Sequence, residues 1–357
     1  MPYITATSKI DFEYTVGQGT AKEFAQNMFT ETFGSIDKMI DVFDNANIKT
    51  RNFCIPVSFF EKDRDFEYKN SIYTEKALEK SIEAINECLK KSGIDKNALT
   101  DIIFVSTTGL ATPSIDALII NKMRLNPNIN RLPVWGLGCA GGVAGLAKAN
   151  IIAANNPDSI TALITVELCS LTFIRNDLSK SNFIATSLFS DGVAAVLVAG
   201  DNAYKKIKTK GKIQIVSAMS KLYYDALDVM GWEINNNGFK VLFSKDIPSI
   251  VSGNVKNDIE AFLASHNLKI TDIKNFIFHP GGMKVLKAYE DALNLNGNTF
   301  DFSQEILNSY GNMSSSTVLY VLDKFLEDGF EDGYGLMLSL GPGFSSEMVL
   351  LSMQNNA

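Results

Sequence analysis

Histidine is nearly missing from this chain. His266 and His279 are the only two in 357 residues, which excludes a histidine-rich metal site. Cysteine is scarce too. Cys54, Cys88, Cys139 and Cys169 stand too far apart for a metal knuckle, and no C-x-x-C occurs. Nothing in that spacing suggests a disulfide framework, so a reducing, cytoplasmic setting is expected. No apolar run approaches the ~20 residues that span a bilayer, so no integral membrane segment is expected. The opening residues carry Asp11 and Glu13 and lack a basic segment followed by an apolar stretch, so no signal peptide is expected. The charge balance is acidic: the net charge is −7, with no Lys/Arg block outside the Lys-rich stretch at 201–211, which argues against a nucleic-acid partner. P-loop, G-x-S-x-G and H-E-x-x-H patterns do not occur. What remains is globular material, 46% hydrophobic and 20% charged, enough for two packed core units.

One stretch organises the rest: residues 132–145, LPVWGLGCAGGVAG. A short apolar run ending at Trp135 reads as a strand, and the small residues from Gly136 to Gly142 turn the chain sharply. Val143 to Ala154 then reads as a closely packed, buried helix. Cys139 therefore stands at or near a helix N-terminus, where free N–H groups and the helix dipole favour a thiolate. The flanking glycines leave the sulfur open to a substrate carbonyl. Two duller readings compete. A cysteine among Gly and Ala is often a small apolar filler. Gly136-Leu-Gly138-Cys-Ala-Gly141 also fits G-x-G-x-x-G, with Glu167 ending the next strand as a ribose-binding acid, which would make a dinucleotide-binding oxidoreductase.

In chain order, 1–20 reads as a strand-like opening, with helices around Thr20–Phe33 and Ser35–Asn45. Arg51–Pro56 is extended, charged Glu61–Lys69 a surface loop, and Thr74–Ser92 an amphipathic helix. Asp101–Val105 is a buried strand, and the apolar runs Ile160–Val166 and Val193–Val198 suit strands covered on both faces. Polar, Lys-rich Asp201–Gly211 links two halves, 1–205 and 206–357. The second half repeats the first: a helix at Val255–Ser265, a strand at Phe276–Phe278, a small-residue turn at Ser309–Thr317 leading into apolar Val318–Leu326, then strands at Gly335–Leu340 and Glu347–Ser352. The repeat puts Asn-Met-Ser-Ser where the glycine fingerprint stood, which counts against the dinucleotide reading. If the halves pack about a pseudo-twofold axis, the turns at Cys139 and Asn312 face each other, with His279-Pro280-Gly281-Gly282 beside them. A lone His is usually structural, and His266 sits in a polar helix end. His279, however, follows a strand at the end where α/β sheets place ligands. Asn312 alone would read as a helix cap; its equivalence to Cys139 raises it. Taken singly, Phe189 reads as core and Gly341–Phe344 as a plain strand connection.

Cys139 in GLGCAGG, His279 in FHPGG and Asn312 in YGNMSSSTV resemble the Cys-His-Asn triad of the type III polyketide synthases, the chalcone synthase family. GPGFSSE at 341–347 resembles that family's C-terminal glycine loop, and Phe189 in LFSDG its gating phenylalanine. The resemblance implies an α/β thiolase fold: duplicated half-units with mixed sheets in a layered αβαβα arrangement. It further implies a homodimer, coenzyme A thioester substrates, and neither metal nor cofactor. STTGLATPSIDA (106–117), VELCSLTF (166–173) and MGWEINNNGFKVLFSKDIP (230–248) resemble the bacterial branch that makes alkylpyrones and alkylresorcinols. By that resemblance Thr107, Thr112, Thr172, Trp232, Val241 and Ser314 join Phe189 and Gly341, Pro342, Gly343 and Phe344 in binding or gating substrate. Lys38 matches one of three basic residues that plant members set on coenzyme A; Asp41 and Asn45 stand at the other two. Thr112 stands where plant members place a Met reaching into the partner's cavity. Val241 replaces a second gating Phe, and Trp232 replaces a glycine.

The implied reaction loads an acyl group onto a Cys139 thiolate, held ionised by the helix end and by His279. His279 and Asn312 then stabilise the enolate left when malonyl-CoA loses carbon dioxide. That carbanion attacks the acyl group, and the lengthened chain closes as an alkylpyrone or alkylresorcinol. The rival within the same fold is the initiating β-ketoacyl-acyl carrier protein synthase. It would want a basic docking patch, which this acidic chain does not show.

Overall fold

Asp101–Val105, Ile160–Leu168 and Asp191–Ala199 are buried at every position. Strands apolar on both faces can be satisfied only inside a sheet covered on both sides. The computed structural model describes residues 1–33, 37–209, 211–244 and 247–355, with the side chains of 30–33, 37, 38, 248 and 252 outside the description. Its main sheet has nine strands, in the order Ile273–Phe278, Gly333–Gly341, Ser345–Asn355, Gly211–Leu222, Tyr3–Ile10, Asp191–Ala199, Ile160–Leu168, Asp101–Val105 and Asn130–Val134.

Counted outward from the central pair, Tyr3–Ile10 and Gly211–Leu222, the two halves mirror one another. Each meets an antiparallel neighbour, Asp191–Ala199 or Ser345–Asn355. Each then meets a second antiparallel strand, Ile160–Leu168 or Gly333–Gly341, and a parallel one, Asp101–Val105 or Ile273–Phe278. Asn130–Val134 extends the first half alone. The duplication legible in the sequence is therefore built into the topology. Tyr3↔Gln214 and Ile4↔Ile213 join the two half-sheets edge to edge.

Strand alternation sorts the core into layers. Ile102 and Phe104 face outward and pack with Tyr73, Ala77, Ala84 and Ile85 of the helix Phe66–Ser92. Ile103 and Val105 face inward onto the helices Gly141–Asn155 and Thr317–Asp328, meeting Val143, Leu146, Val318 and Leu322. On the far side Phe276, Phe278, Leu336 and Leu338 pack outward against Phe262, Leu286 and Tyr289. Helix, sheet, paired helices, sheet, helix is the αβαβα arrangement. Close approach at its centre requires glycine. A Cβ on Gly142 would stand 2.3 Å from the Ser315 carbonyl oxygen, and one on Gly145 2.5 Å from Leu163 Cδ1.

Two segments depart from expectation. The charged stretch 61–69 is not all surface loop, because a helix begins at Phe66, capped by the Asp65 carboxylate accepting from the Tyr68 N–H. Lys69 is buried, its stem covered, and Nζ donates to the carbonyls of Phe173 and Asn237, both at 3.1 Å. The motif at 230–248 folds in part as a hairpin apart from the main sheet, Met230–Asn235 against Gly238–Phe243, with Trp232 opposite Val241. Lys69 thus ties this hairpin to the loop at Phe173. The second expected helix is described over Asp37–Asn45; Ser35 lies outside the described residues. Among the described residues no helix is long and apolar enough to cross a membrane.

Candidate active site

The turn before the central helix of the first half needs two glycines at positive φ, Gly136 at 92° and Gly138 at 47°. Gly138–Ala140 then makes a short 3-10 turn, and the α-helix starts at Gly141. The turn is held from behind. The Gly138 N–H donates to Thr107 Oγ1 at 3.0 Å. Pro342 packs on Gly138, where a Cβ would stand 2.7 Å from its Cδ, and Gly341 lies against Leu137 and Ala140. Cys139 is left half-buried, whereas Cys54, Cys88 and Cys169 are buried.

The second half builds the facing turn. Gly311 (φ 75°) leads into Asn312, and Ser314 holds a positive φ of 50° before the helix at Thr317. Asn312 is fixed on all sides. Its N–H donates to the Leu188 carbonyl and its carbonyl accepts from the Ser190 N–H, both at 2.9 Å. Its Nδ2 donates to the Gly281 carbonyl at 3.2 Å, and its Oδ1 accepts from the Ser314 N–H at 2.8 Å. His279 ends its strand with its N–H on the Leu338 carbonyl at 2.9 Å. It is buried, and neither ring nitrogen has a partner among the described residues. Cys139, His279 and Asn312, far apart in sequence, line one cavity of about 400 Å³ with Met230, Phe243 and Tyr289.

Burial works against the thiolate expected at the helix end. Burial pushes the Cys139 thiol up to about 12; a hydrogen bond with Ser314 opposes this and the Glu167 carboxylate adds to it. Burial pushes His279 down to about 3. Each group alone is therefore neutral at pH 7, because desolvation outweighs the helix end. One proton moved from Sγ to the imidazole makes both charges together, so that each offsets the other's burial. Glu167 is itself raised to about 7 by burial, against hydrogen bonds from Ser315, the Thr107 N–H and Thr108. Ser315 Oγ donates to its Oε1 at 2.5 Å and the Thr107 N–H to its Oε2 at 3.1 Å. A carboxylate so engaged is not free for a ribose, and the glycine turn is covered by Pro342 and Ser315. The dinucleotide reading fails on both counts.

Because Cys139 is half-buried and the other three cysteines are buried, iodoacetamide at pH 7.5 should label it first, as read by peptide mass spectrometry. Earlier labelling of Cys54, Cys88 or Cys169 would show that exposure does not govern reactivity here.

A second, larger cavity of about 640 Å³ opens behind Phe189. Phe24, Phe53, Phe60, Phe173 and Phe239 line it together with Thr172, Phe189, Trp232 and Val241. Phe189 forms a parallel bridge with Asn312, and its ring lies 6.1 Å from Trp232 and 5.6 Å from Phe243. Phe243 also lines the first cavity, so these three rings stand between the two.

The other expected residues are placed differently. Thr107 and Ser314 brace the cysteine turn. Gly341 and Pro342 form its backing, whereas Gly343 lies against Leu222; none of the three lines either cavity. Phe344 ends the turn at 342–344 but is wholly buried in the core against Tyr223, ring centroids 5.7 Å apart, with its carbonyl accepting from the Tyr223 N–H at 2.9 Å. Thr112 is exposed and lines neither cavity. The Lys38 side chain lies outside the described residues, while Asp41 and Asn45 are exposed on their helix. Sequence reasoning passed over Arg51 and Phe243. An arginine opening the extended run 51–56, ahead of Phe53, Cys54 and Ile55, was the available signal for the first; nothing local marked the second.

Comparison with known proteins agrees with this geometry. Residues 42–202 match the N-terminal domain of chalcone and stilbene synthases, and 214–354 match their C-terminal domain. A protein of Bacillus subtilis (strain 168) named "Putative chalcone synthase" is 43% identical over 96% of both chains. The 1,3,6,8-tetrahydroxynaphthalene synthase of Streptomyces peucetius subsp. caesius is 36% identical over 86% of this chain and 81% of its own. The crystal structure of 1,3,6,8-tetrahydroxynaphthalene synthase from Streptomyces coelicolor A3(2), a bacterial type III polyketide synthase, superposes with a TM-score of 0.93. It covers 99% of this chain and 100% of its own at 25% identity.

Proposed function

This chain belongs to the chalcone and stilbene synthase family of type III polyketide synthases, acyltransferases of thiolase-like fold, and from that premise we propose that it extends a medium- or long-chain fatty acyl-CoA with malonyl-CoA and closes the product as an alkylpyrone or alkylresorcinol. Cys139 carries the acyl group, His279 takes its proton to form the ion pair, and His279 with Asn312 donates to the enolate oxygen of decarboxylating malonyl-CoA. The reaction needs no cofactor beyond the coenzyme A thioesters.

The observation that carries the starter assignment is the aromatic-lined cavity behind Phe189. An apolar wall of this kind favours each added methylene of the starter by about 0.8 kcal/mol. The test is kcat/KM across acetyl-, hexanoyl-, decanoyl-, palmitoyl- and coumaroyl-CoA, with products read by mass spectrometry. Specificity should rise with chain length until the cavity is filled. A maximum at acetyl- or coumaroyl-CoA would sink the fatty-acyl assignment and leave the polyketide synthase membership intact. The similarity to a tetrahydroxynaphthalene synthase favours a second reading, a polyhydroxynaphthalene product, which the same product masses would reveal.

The expected partner is a second copy. Asn130–Val134 is an exposed sheet edge, with Leu132 and Trp135 among the exposed large apolar residues, and an uncovered edge of this kind invites pairing. Light scattering should give twice the 39.2 kDa chain mass; a value at the single mass at micromolar concentration counts against it.

A further inference from the structure

An alkyl chain does not account for Arg51. This residue is only 2% exposed and lines the larger cavity. One nitrogen, Nη1, donates to the carbonyls of Thr186 at 2.6 Å and Phe189 at 3.1 Å. Its guanidinium carbon stands 5.6 Å from the Phe53 ring centroid. Nε and Nη2 have no hydrogen-bond partner among the described residues. Among the described residues no carboxylate offsets the charge, and burial alone lowers its pKa, to about 10, so it stays cationic at pH 7. Buried donors left unmade are costly, and charged ones the more so. Nε–H and one Nη2–H share an edge of the planar guanidinium, so both can reach one oxygen or two neighbouring ones.

The position of Arg51 says which oxygen. A Cβ on Gly311 would stand 2.8 Å from Arg51 Cγ, and Gly311 precedes Asn312. The carbonyl that Arg51 grips belongs to Phe189, which bridges Asn312. Arg51 thus lies at the end of the larger cavity nearest the catalytic turns. A saturated starter brings no acceptor there beyond its thioester, whereas the chain after one condensation carries a 3-oxo group.

We infer that Arg51 binds the 3-oxo oxygen of the extended chain through Nε–H and Nη2–H, so that the larger cavity takes 3-oxoacyl thioesters in preference to saturated ones. This rests on the polyketide synthase reading of the site. The test measures binding to the full chain carrying Cys139→Ala, which prevents loading, by calorimetric titration. The paired ligands are 3-oxodecanoyl-CoA against decanoyl-CoA and acetoacetyl-CoA against butyryl-CoA. The 3-oxo member of each pair should bind about tenfold tighter, the scale of a charge-assisted hydrogen bond. Adding Arg51→Met should reduce that ratio to within about twofold, and Arg51→Lys should restore part of it. Equal affinities within both pairs, or no measurable binding of the 3-oxo ligands, overturn the assignment. If Arg51→Met does not fold, by circular dichroism and melting, the ratios in the parent decide alone. The fatty-acyl reading fails separately, through decanoyl-CoA binding no better than butyryl-CoA.

Discussion

Cys139→Ala is expected to yield no polyketide at all while still releasing carbon dioxide from malonyl-CoA. The variant lacks the only atom on which an acyl chain can be held, so condensation has no electrophile to attack. The donors that meet the malonyl thioester are untouched, because Asn312 is held by Leu188, Ser190, Gly281 and Ser314 and not by the sulfur. His279 keeps its backbone anchor on Leu338. Acetyl-CoA formation from malonyl-CoA, followed by chromatography beside product mass spectrometry, separates the two steps. Product from the alanine variant would show that another group carries the chain. Loss of decarboxylation together with product would show that the sulfur takes part in both.

His279→Ala and Asn312→Ala should each lower malonyl-CoA decarboxylation by ~10²–10³, the usual cost of removing one preorganised donor to a developing oxyanion. The two variants differ in their side effects. The His279 ring has no hydrogen-bond partner among the described residues, so its removal should leave the melting temperature near that of the parent. The Asn312 amide braces the Ser314 N–H and the Gly281 carbonyl, so its loss should also destabilise the turn, by about 1–3 kcal/mol for the groups left unpaired. Decarboxylation at the parental rate in His279→Ala would end the assignment of His279 to the enolate. The same variant tests the ion pair: without the imidazole, Cys139 labelling should climb steadily from pH 7 to 9, whereas the paired thiol of the parent should already react near its plateau at pH 7. Identical profiles would mean that His279 does not ionise Cys139.

The sequence by itself determined the parts that depend on local period and turn chemistry. Two-sided apolar runs could only be interior strands, and small residues after Trp135 could only be a tight turn into a packed helix. Their recurrence around Asn312 carries the duplication and brings Cys139, His279 and Asn312 toward one centre. The tertiary structure decided what arises between segments remote in the chain. Phe344 reads as part of a plain strand connection, and it does lie in that turn, yet its ring is wholly buried against Tyr223. Lys69 reads as solvated charge, yet it is buried under the hairpin it fastens. The charge states of Cys139 and His279 follow from how much water the surrounding walls exclude, and no helix-end argument contains that quantity. Arg51 shows the division most plainly. Its type was visible at once, but its lack of a counter-ion, its two free donors and its place beside Gly311 exist only because strands and turns from both halves close around it, and desolvation is a property of that enclosure, not of the residue.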